Sequence, residues 1–173
     1  ILFPGSSTQV SGVADAILYL SLISGRNPQY LIGEHVQSAP IIHKMGLETI
    51  PTAYILLDGG EPSSIEVISN TTPIPMNKHD IIVAHALAGE FLGNKLLFLE
   101  AGSGAKNHAG CSLISNISKY IHIPIIVGGG VNTSESARKL VTSGADYIVT
   151  GTQIELLPEL NTLLEFTNAI HSI

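Results

Sequence analysis

The feature that most narrows the fold of this chain is a set of short segments in which successive residues are all apolar. Ile125-Ile126-Val127 and Tyr147-Ile148-Val149 lack the alternation of a half-exposed strand. Such runs predict strands buried on both faces, as in a parallel sheet covered by helices. Strands are read at Ile1–Phe3, Ala16–Ile23, Thr49–Leu57, Lys95–Leu99, Ile123–Val127 and Asp146–Thr150. Helical segments lie between them at Pro28–Met45, Lys78–Leu92, Ser112–Ile121 and Thr133–Val141, with a last amphipathic helix at Leu157–Ile173. Gly46 and Gly93 stand where helix-ending glycines belong, and Thr133 opens its helix ahead of Ser134 and Glu135. Asp58–Met76 is polar and rich in Pro, Gly and Ser, with a short strand read at Ile65–Ile68. The βαβα order makes the class α/β.

The unit count sharpens this. Six strands in 173 residues is about 29 residues per βα unit. Eight units at that spacing need roughly 230 residues, near the typical ~250 of a (β/α)8 TIM barrel, so the chain falls about two units short.

Composition removes several function classes. Charged residues are 13% and the hydrophobic set is 45%, so there is ample apolar surface to bury and the chain is not disordered. Seventeen Gly and nine Pro interrupt any heptad pattern. A net charge of −6 with eight Lys and Arg argues against duplex nucleic-acid binding. One cysteine excludes an internal disulfide framework. The longest apolar run, Ala16–Ser24, is about half of the ~20 residues that a membrane-spanning helix needs. No signal peptide is read at the start, and the sequons at Asn70, Asn116 and Asn132 read as chance matches. A cytoplasmic protein without a membrane span is the expectation.

The chemistry concentrates at three glycine turns, each after a strand. They are Glu100-Ala101-Gly102-Ser103-Gly104-Ala105, Gly128-Gly129-Gly130, and Gly151-Thr152. Glycines there let backbone N–H groups approach an anion, and a helix N-terminus adds partial positive charge. In parallel barrels, phosphate sites form from the loops after the last two strands. Glu100, at the C-terminal end of its strand, is placed to accept a proton from a substrate hydroxyl. The bland alternatives are tight turns for the glycines and a loop cap for Glu100.

Other candidates carry less. His35 and His43 share a helix at a spacing of eight, whereas a metal pair prefers three or four, so both read as solvent-facing or capping. Cys111 reads as a helix-start or buried residue rather than a nucleophile. Asp15 and Asp146 begin buried strands and read as structural. Arg26 and Asn27 fit a diphosphate contact and a loop-structuring role equally well.

Taken together, Phe98-Leu99-Glu100-Ala101-Gly102-Ser103-Gly104-Ala105, Ile126–Val131 and Gly144–Thr152 resemble the geranylgeranylglyceryl phosphate synthase family. Leu2–Ser6, Ala14–Ala16, Ser21–Pro28 and Ile50–Leu56 agree, so the resemblance runs from Ile1 to about Glu155. Ser24-Gly25-Arg26-Asn27-Pro28 and Pro73-Ile74-Pro75 are similar to its bacterial-type branch, often called group II.

The resemblance implies a prenyltransferase of ether-lipid biosynthesis, which joins sn-glycerol 1-phosphate to a polyprenyl diphosphate through an ether bond. It implies Mg²⁺ on the diphosphate and homo-oligomeric assembly. Carried onto this chain, Glu100 contacts the glycerol hydroxyls and acts as base. Ser103, Gly104, Gly129, Gly130, Gly151 and Thr152 hold the acceptor phosphate. Phe98, Leu99, Ala101 and Gly102 belong to the same substrate-binding stretch, and Tyr54 lines the site. The strand ends and the segment after Pro4 wall an apolar prenyl groove.

Two departures matter. The family usually has Tyr where this chain has Phe98, which removes a polar contact worth about 1 kcal/mol. The family's first two βα units, with the aspartate that binds Mg²⁺, precede the Phe-Pro-Gly-Ser strand, so no metal ligand is assigned here. By that alignment the chain covers strands 3 to 8, as one partial domain over residues 1–173. About 50–60 residues are then expected ahead of Ile1. Two other readings stay open: a non-catalytic phosphate-binding fragment without the metal site, and a different phosphate-binding barrel such as an isomerase of amino-acid biosynthesis.

Overall fold

The computed structural model describes residues 1–156 and 160–171. Five parallel strands form one sheet in sequence order: β1 (Ala16–Leu22), β2 (Glu48–Leu56), β3 (Leu96–Glu100), β4 (Ile125–Gly128) and β5 (Tyr147–Val149). The expected first strand is reduced to one parallel bridge between Leu2 and Ile17, with Leu2 N–H on the Ala16 carbonyl at 2.8 Å. The helices are α1 (Glu34–Met45), α2 (Ser64–Ser69), α3 (His79–Phe91), α4 (Cys111–Ile117), α5 (Ser134–Thr142), α6 (Thr152–Leu156) and α7 (Leu160–His171). A π-helical turn, Gln29–Gly33, leads into α1. The expected start of the last helix at Leu157 and its end at Ile173 lie outside the described residues.

Local sequence explains the boundaries. Gly46, at φ +67°, ends α1 and donates to the His43 carbonyl at 3.2 Å, a left-handed turn that glycine makes without strain. Thr133 Oγ1 caps α5 through the Ser136 N–H at 3.1 Å. The short strand read at Ile65–Ile68 is instead helix α2. Ser63 accepts from the Glu66 N–H while Glu66 reaches back to the Ser63 N–H. That capping box outweighs the β-branched composition of Ile65-Glu66-Val67-Ile68.

The register sets the two faces of the sheet. Leu22, Tyr54, Phe98, Ile126 and Tyr147 lie side by side across all five strands. Leu18, Leu22, Tyr54, Leu56, Phe98 and Ile126 pack together on that inner face. Ala53, Ile55, Leu97, Leu99, Ile125 and Val127 point the other way, into a larger core shared with α3, α4, α5 and α7. Burial on both faces therefore holds for β3 and β4. It fails for β5, where Tyr147 is 55% and Val149 39% exposed. Among the described residues β5 pairs only with β4, and its inward side chains are left partly exposed. No described helix is long and apolar enough to cross a membrane.

Candidate functional site

Parallel strands in register bring their C-terminal ends to one face of the sheet. There Glu100 ends β3, opposite Gly128 on β4. Glu100 is 8% exposed. Its Oε1 accepts the Gly102 N–H at 2.7 Å. Burial pushes its carboxyl above the usual carboxylate range, and the Gly102 bond draws it partly back. Oε2 takes no hydrogen bond among the described residues. A buried carboxylate with one oxygen fixed and a raised proton affinity is suited to taking a proton from a hydroxyl.

The glycine turns interlock around it. A Cβ placed on Gly129, at φ +80°, would lie 2.7 Å from Glu100 Oε1 and from the Gly102 nitrogen. One on Gly130 would lie 2.7 Å from the Asn107 carbonyl carbon. Gly102, at φ +101°, seats against Ser63, where a Cβ would meet the Ser63 Cβ at 2.7 Å. The loops after β2, β3 and β4 thus close to distances that only glycine permits. Thr150 Oγ1 donates to the Val131 carbonyl at 3.1 Å and ties the end of β5 to the same turn. Gly151 then opens α6 by accepting from the Glu155 N–H at 3.0 Å.

The candidate residues divide accordingly. Glu100, Ala101, Gly102 and Gly129 form one contact group, joined by the Ala101 N–H on the Gly128 carbonyl at 3.0 Å, and Gly130 seats instead against the Asn107–His108 backbone. Ser103, Gly104 and Gly151 are exposed and Thr152 is half-buried, at loop tips of this face. Leu99 is fully buried among the helix-facing core, so its side chain does not face the site. Phe98 is fully buried on the inner face, its ring 5.2 Å from that of Tyr54, edge to face. Burial first, and the Glu100 charge second, push the Tyr54 hydroxyl well above its ordinary value.

Two participants, Phe3 and Ser63, escape a reading of the sequence, and a third, Gly128, is read there only as part of its triplet. Phe3 stacks on Phe98 at 5.0 Å and on Tyr54 at 6.2 Å. Ser63 packs beneath Gly102, and Gly128 beneath Glu100. Gly128 stands in the glycine triplet, but its partner is legible only through strand register.

An apolar cavity of about 130 Å³ adjoins the aromatic trio. Phe3, Pro4, Val10, Leu18, Leu22 and Tyr54 line it, as do Tyr19, Glu34, His35 and Ser38. The segment after Pro4 therefore walls an apolar cavity.

The remaining candidates lie as follows, with one correction. His43 is exposed, but His35 is 5% exposed and not solvent-facing. The ring of Tyr19, at 4.2 Å, and the β1 surface cover it. Asn27 spends both ends of its amide on the loop: Nδ2 donates to the Ser69 carbonyl at 2.9 Å and Oδ1 accepts the Gln29 N–H at 3.1 Å. Arg26 donates to the Gly25 carbonyl at 2.8 Å. Asp146 Oδ2 accepts the Ile125 N–H at 2.8 Å, a strand-pinning role. Cys111 is half-buried at the start of α4. No group of three His, Cys, Asp or Glu side chains able to hold a metal ion occurs among the described residues.

Comparison with known proteins matches this architecture. The PcrB family model covers residues 1–167. The chain is 52% identical over 172 residues to a geranylgeranylglyceryl phosphate synthase of Chitinophaga pinensis, spanning 99% of this chain and 68% of that protein. It is 42% identical over 172 residues to one from Methanosphaera stadtmanae, spanning 99% of this chain and 70% of the relative. The structure of (S)-3-O-geranylgeranylglyceryl phosphate synthase from Thermoplasma acidophilum, in complex with sn-glycerol-1-phosphate, superposes with a TM-score of 0.92 at 34% identity. That match covers 98% of this chain and 68% of the other, which makes the fold a TIM barrel. The chain belongs to the PcrB family of geranylgeranylglyceryl phosphate synthases.

Proposed function

We propose that this protein is a prenyltransferase of ether-lipid biosynthesis, joining sn-glycerol 1-phosphate to a polyprenyl diphosphate. The observation that carries the reading is Glu100: a buried carboxylate at a strand C-terminus, one oxygen held by Gly102, beside interlocked glycine turns. The acceptor phosphate lies against the backbone donors of Ser103, Gly104, Gly129, Gly130, Gly151 and Thr152. Its C3 hydroxyl gives a proton to Glu100. The oxygen forms a bond to C1 of the prenyl chain as the bond to diphosphate breaks. Tyr54 and Phe98 border the reacting end, and the apolar cavity beside Phe3 takes part of the hydrocarbon.

Mg²⁺ on the diphosphate belongs to this proposal, neutralising charge on the leaving group when bound. The described residues do not gather a ligand set for it, so no step here runs through the metal. Homo-oligomeric assembly is also proposed, since Leu160, Leu163 and Leu164 leave an exposed apolar stripe on α7. A cytoplasmic setting goes with the absence of a disulfide framework in a chain of one cysteine.

The test is direct. The protein is incubated with sn-glycerol 1-phosphate, geranylgeranyl diphosphate and Mg²⁺, and products are followed by mass. An ether product whose formation depends on Glu100 is expected. Absence of product from folded protein, with both substrates bound, overturns the catalytic reading and leaves a phosphate-binding module.

A further inference from the structure

We propose that Gly128 is a positioning residue for Glu100, and that its missing side chain is the space the acceptor-facing carboxylate occupies. The inference rests on the functional reading above and concerns how that site is set. Gly128 is the register partner of Glu100, on the adjacent strand and the same face of the sheet. A Cβ built on it would lie 2.8 Å from Glu100 Oε2 and 2.8 Å from Cε2 of Phe98. These distances are well inside van der Waals contact, so the carboxylate lies over the bare Cα of Gly128.

The neighbouring glycines have a second explanation that Gly128 lacks. Gly102, Gly129 and Gly130 adopt positive φ, which excludes most side chains on backbone grounds alone. Gly128 is an ordinary strand residue outside that region. Any L-residue fits its backbone, and only the space taken by Glu100 and Phe98 demands glycine. A methyl group there must move the carboxylate. Because Oε1 is pinned to the Gly102 N–H, the movement breaks that bond or turns Oε2 away from the acceptor hydroxyls. The backbone donors of the phosphate turns are untouched.

The predicted signature separates the two halves of one ligand. Amide chemical shifts of the full chain are titrated with sn-glycerol 1-phosphate and, separately, with inorganic phosphate. Gly128→Ala is expected to weaken sn-glycerol 1-phosphate about tenfold, the loss of one hydrogen bond to a charged group, while inorganic phosphate changes by less than about twofold. Equal affinities in wild type and variant, or parallel losses for both ligands, overturn the proposal. Wild-type protein that binds neither ligand overturns the functional reading and this inference with it. Should Gly128→Ala fail to fold, Phe98→Leu/Gly128→Ala is compared with Phe98→Leu. The ring edge is then gone, and only the carboxylate meets the new methyl.

Discussion

Glu100 and Gly102 are joined by a hydrogen bond from the Gly102 N–H to Oε1 at 2.7 Å, closed over two residues inside a buried turn. The bond orients the carboxylate from within its own loop, so its direction does not depend on a distant cation. The cost is a charge kept in an apolar setting, where burial raises proton affinity and a single N–H compensates in part. Glu100 therefore combines a raised proton affinity with an oriented carboxylate.

That cost has a pH signature. A carboxyl raised above its unfolded value stabilises the fold fully below the ordinary carboxylate pKa of about 4.3, and the contribution is lost as pH rises through the raised value. Glu100→Gln carries no charge and escapes the loss. Its stability relative to wild type is expected to increase between pH 4 and pH 8, measured by urea denaturation at both. Ether-forming turnover is expected to fall by about 10²–10⁴, the range for loss of a general base. A stability difference that is the same at both pH values would show that Glu100 is not strained by burial.

The apolar runs of β3 and β4 are legible in sequence because burial on both faces is written residue by residue. Gly46 and Thr133 are legible because a cap is a local event. The reading fails where a distant partner decides. Tyr147 and Val149 are as apolar as a core strand, yet their exposure depends on what lies beyond β5. His35 looks like a surface histidine until Tyr19, sixteen residues earlier, lies over it. Ile65–Ile68 is different, because its Ser63-to-Glu66 spacing carried the helix signal and β-branched composition hid it. Glu100 and the glycine triplet were found as motifs, but their mutual contact required the register of β3 against β4.

Glu34 ties the segment after Pro4 to the start of α1. Oε2 accepts the Ser7 N–H at 2.7 Å and Oε1 accepts Gln29 Nε2 at 2.8 Å. The Gln29 bond first, and the Ser7 bond next, hold its carboxyl below the usual range. A depressed carboxylate stabilises above its unfolded pKa, and the effect fades as pH falls through the lowered value. Solvent screens this outlying site, so Glu34→Ala is expected to cost only about 1 kcal/mol at pH 7. The sharper readout is hydrogen exchange. The Ser7 amide is expected to lose protection in the variant while the Leu97 amide keeps it. Unchanged exchange at Ser7 would remove Glu34 from any part in holding the cavity wall.

His35 is the buried titratable group that the proposed chemistry does not use. Among the described residues its buried Nδ1 has no hydrogen-bond partner, and Nε2 lies 3.4 Å from Ser21 Oγ. Burial is the main cause that lowers its pKa, against smaller opposing contributions from the Tyr19 and Leu20 backbones and the Glu34 charge. A histidine depressed in the fold stabilises it fully above the unfolded pKa of about 6.5, and stability falls with pH from there down to the folded value. His35→Phe removes the titration and the orphaned nitrogen. The loss of stability from pH 7.5 to pH 5.5, measured by chemical denaturation, is expected to be smaller in the variant than in wild type. Equal losses would place the acid sensitivity on other groups.

Phe98 and Phe91 set the contrast that tests the core. Phe98 is fully buried between Phe3, Tyr54 and the Gly128 backbone, while Phe91 at the end of α3 is 80% exposed. Truncation of a buried aromatic loses transfer free energy and leaves a cavity, so Phe98→Ala is expected to cost about 3–5 kcal/mol. Phe91→Ala removes little from water and is expected to stay within about 0.5 kcal/mol. The same truncation also opens the wall beside Tyr54, so Phe98→Ala is expected to lower the affinity for a prenyl diphosphate as well as the melting temperature. Equal destabilisation by the two variants would mean that the inner face of the sheet is not the packed layer that positions Glu100.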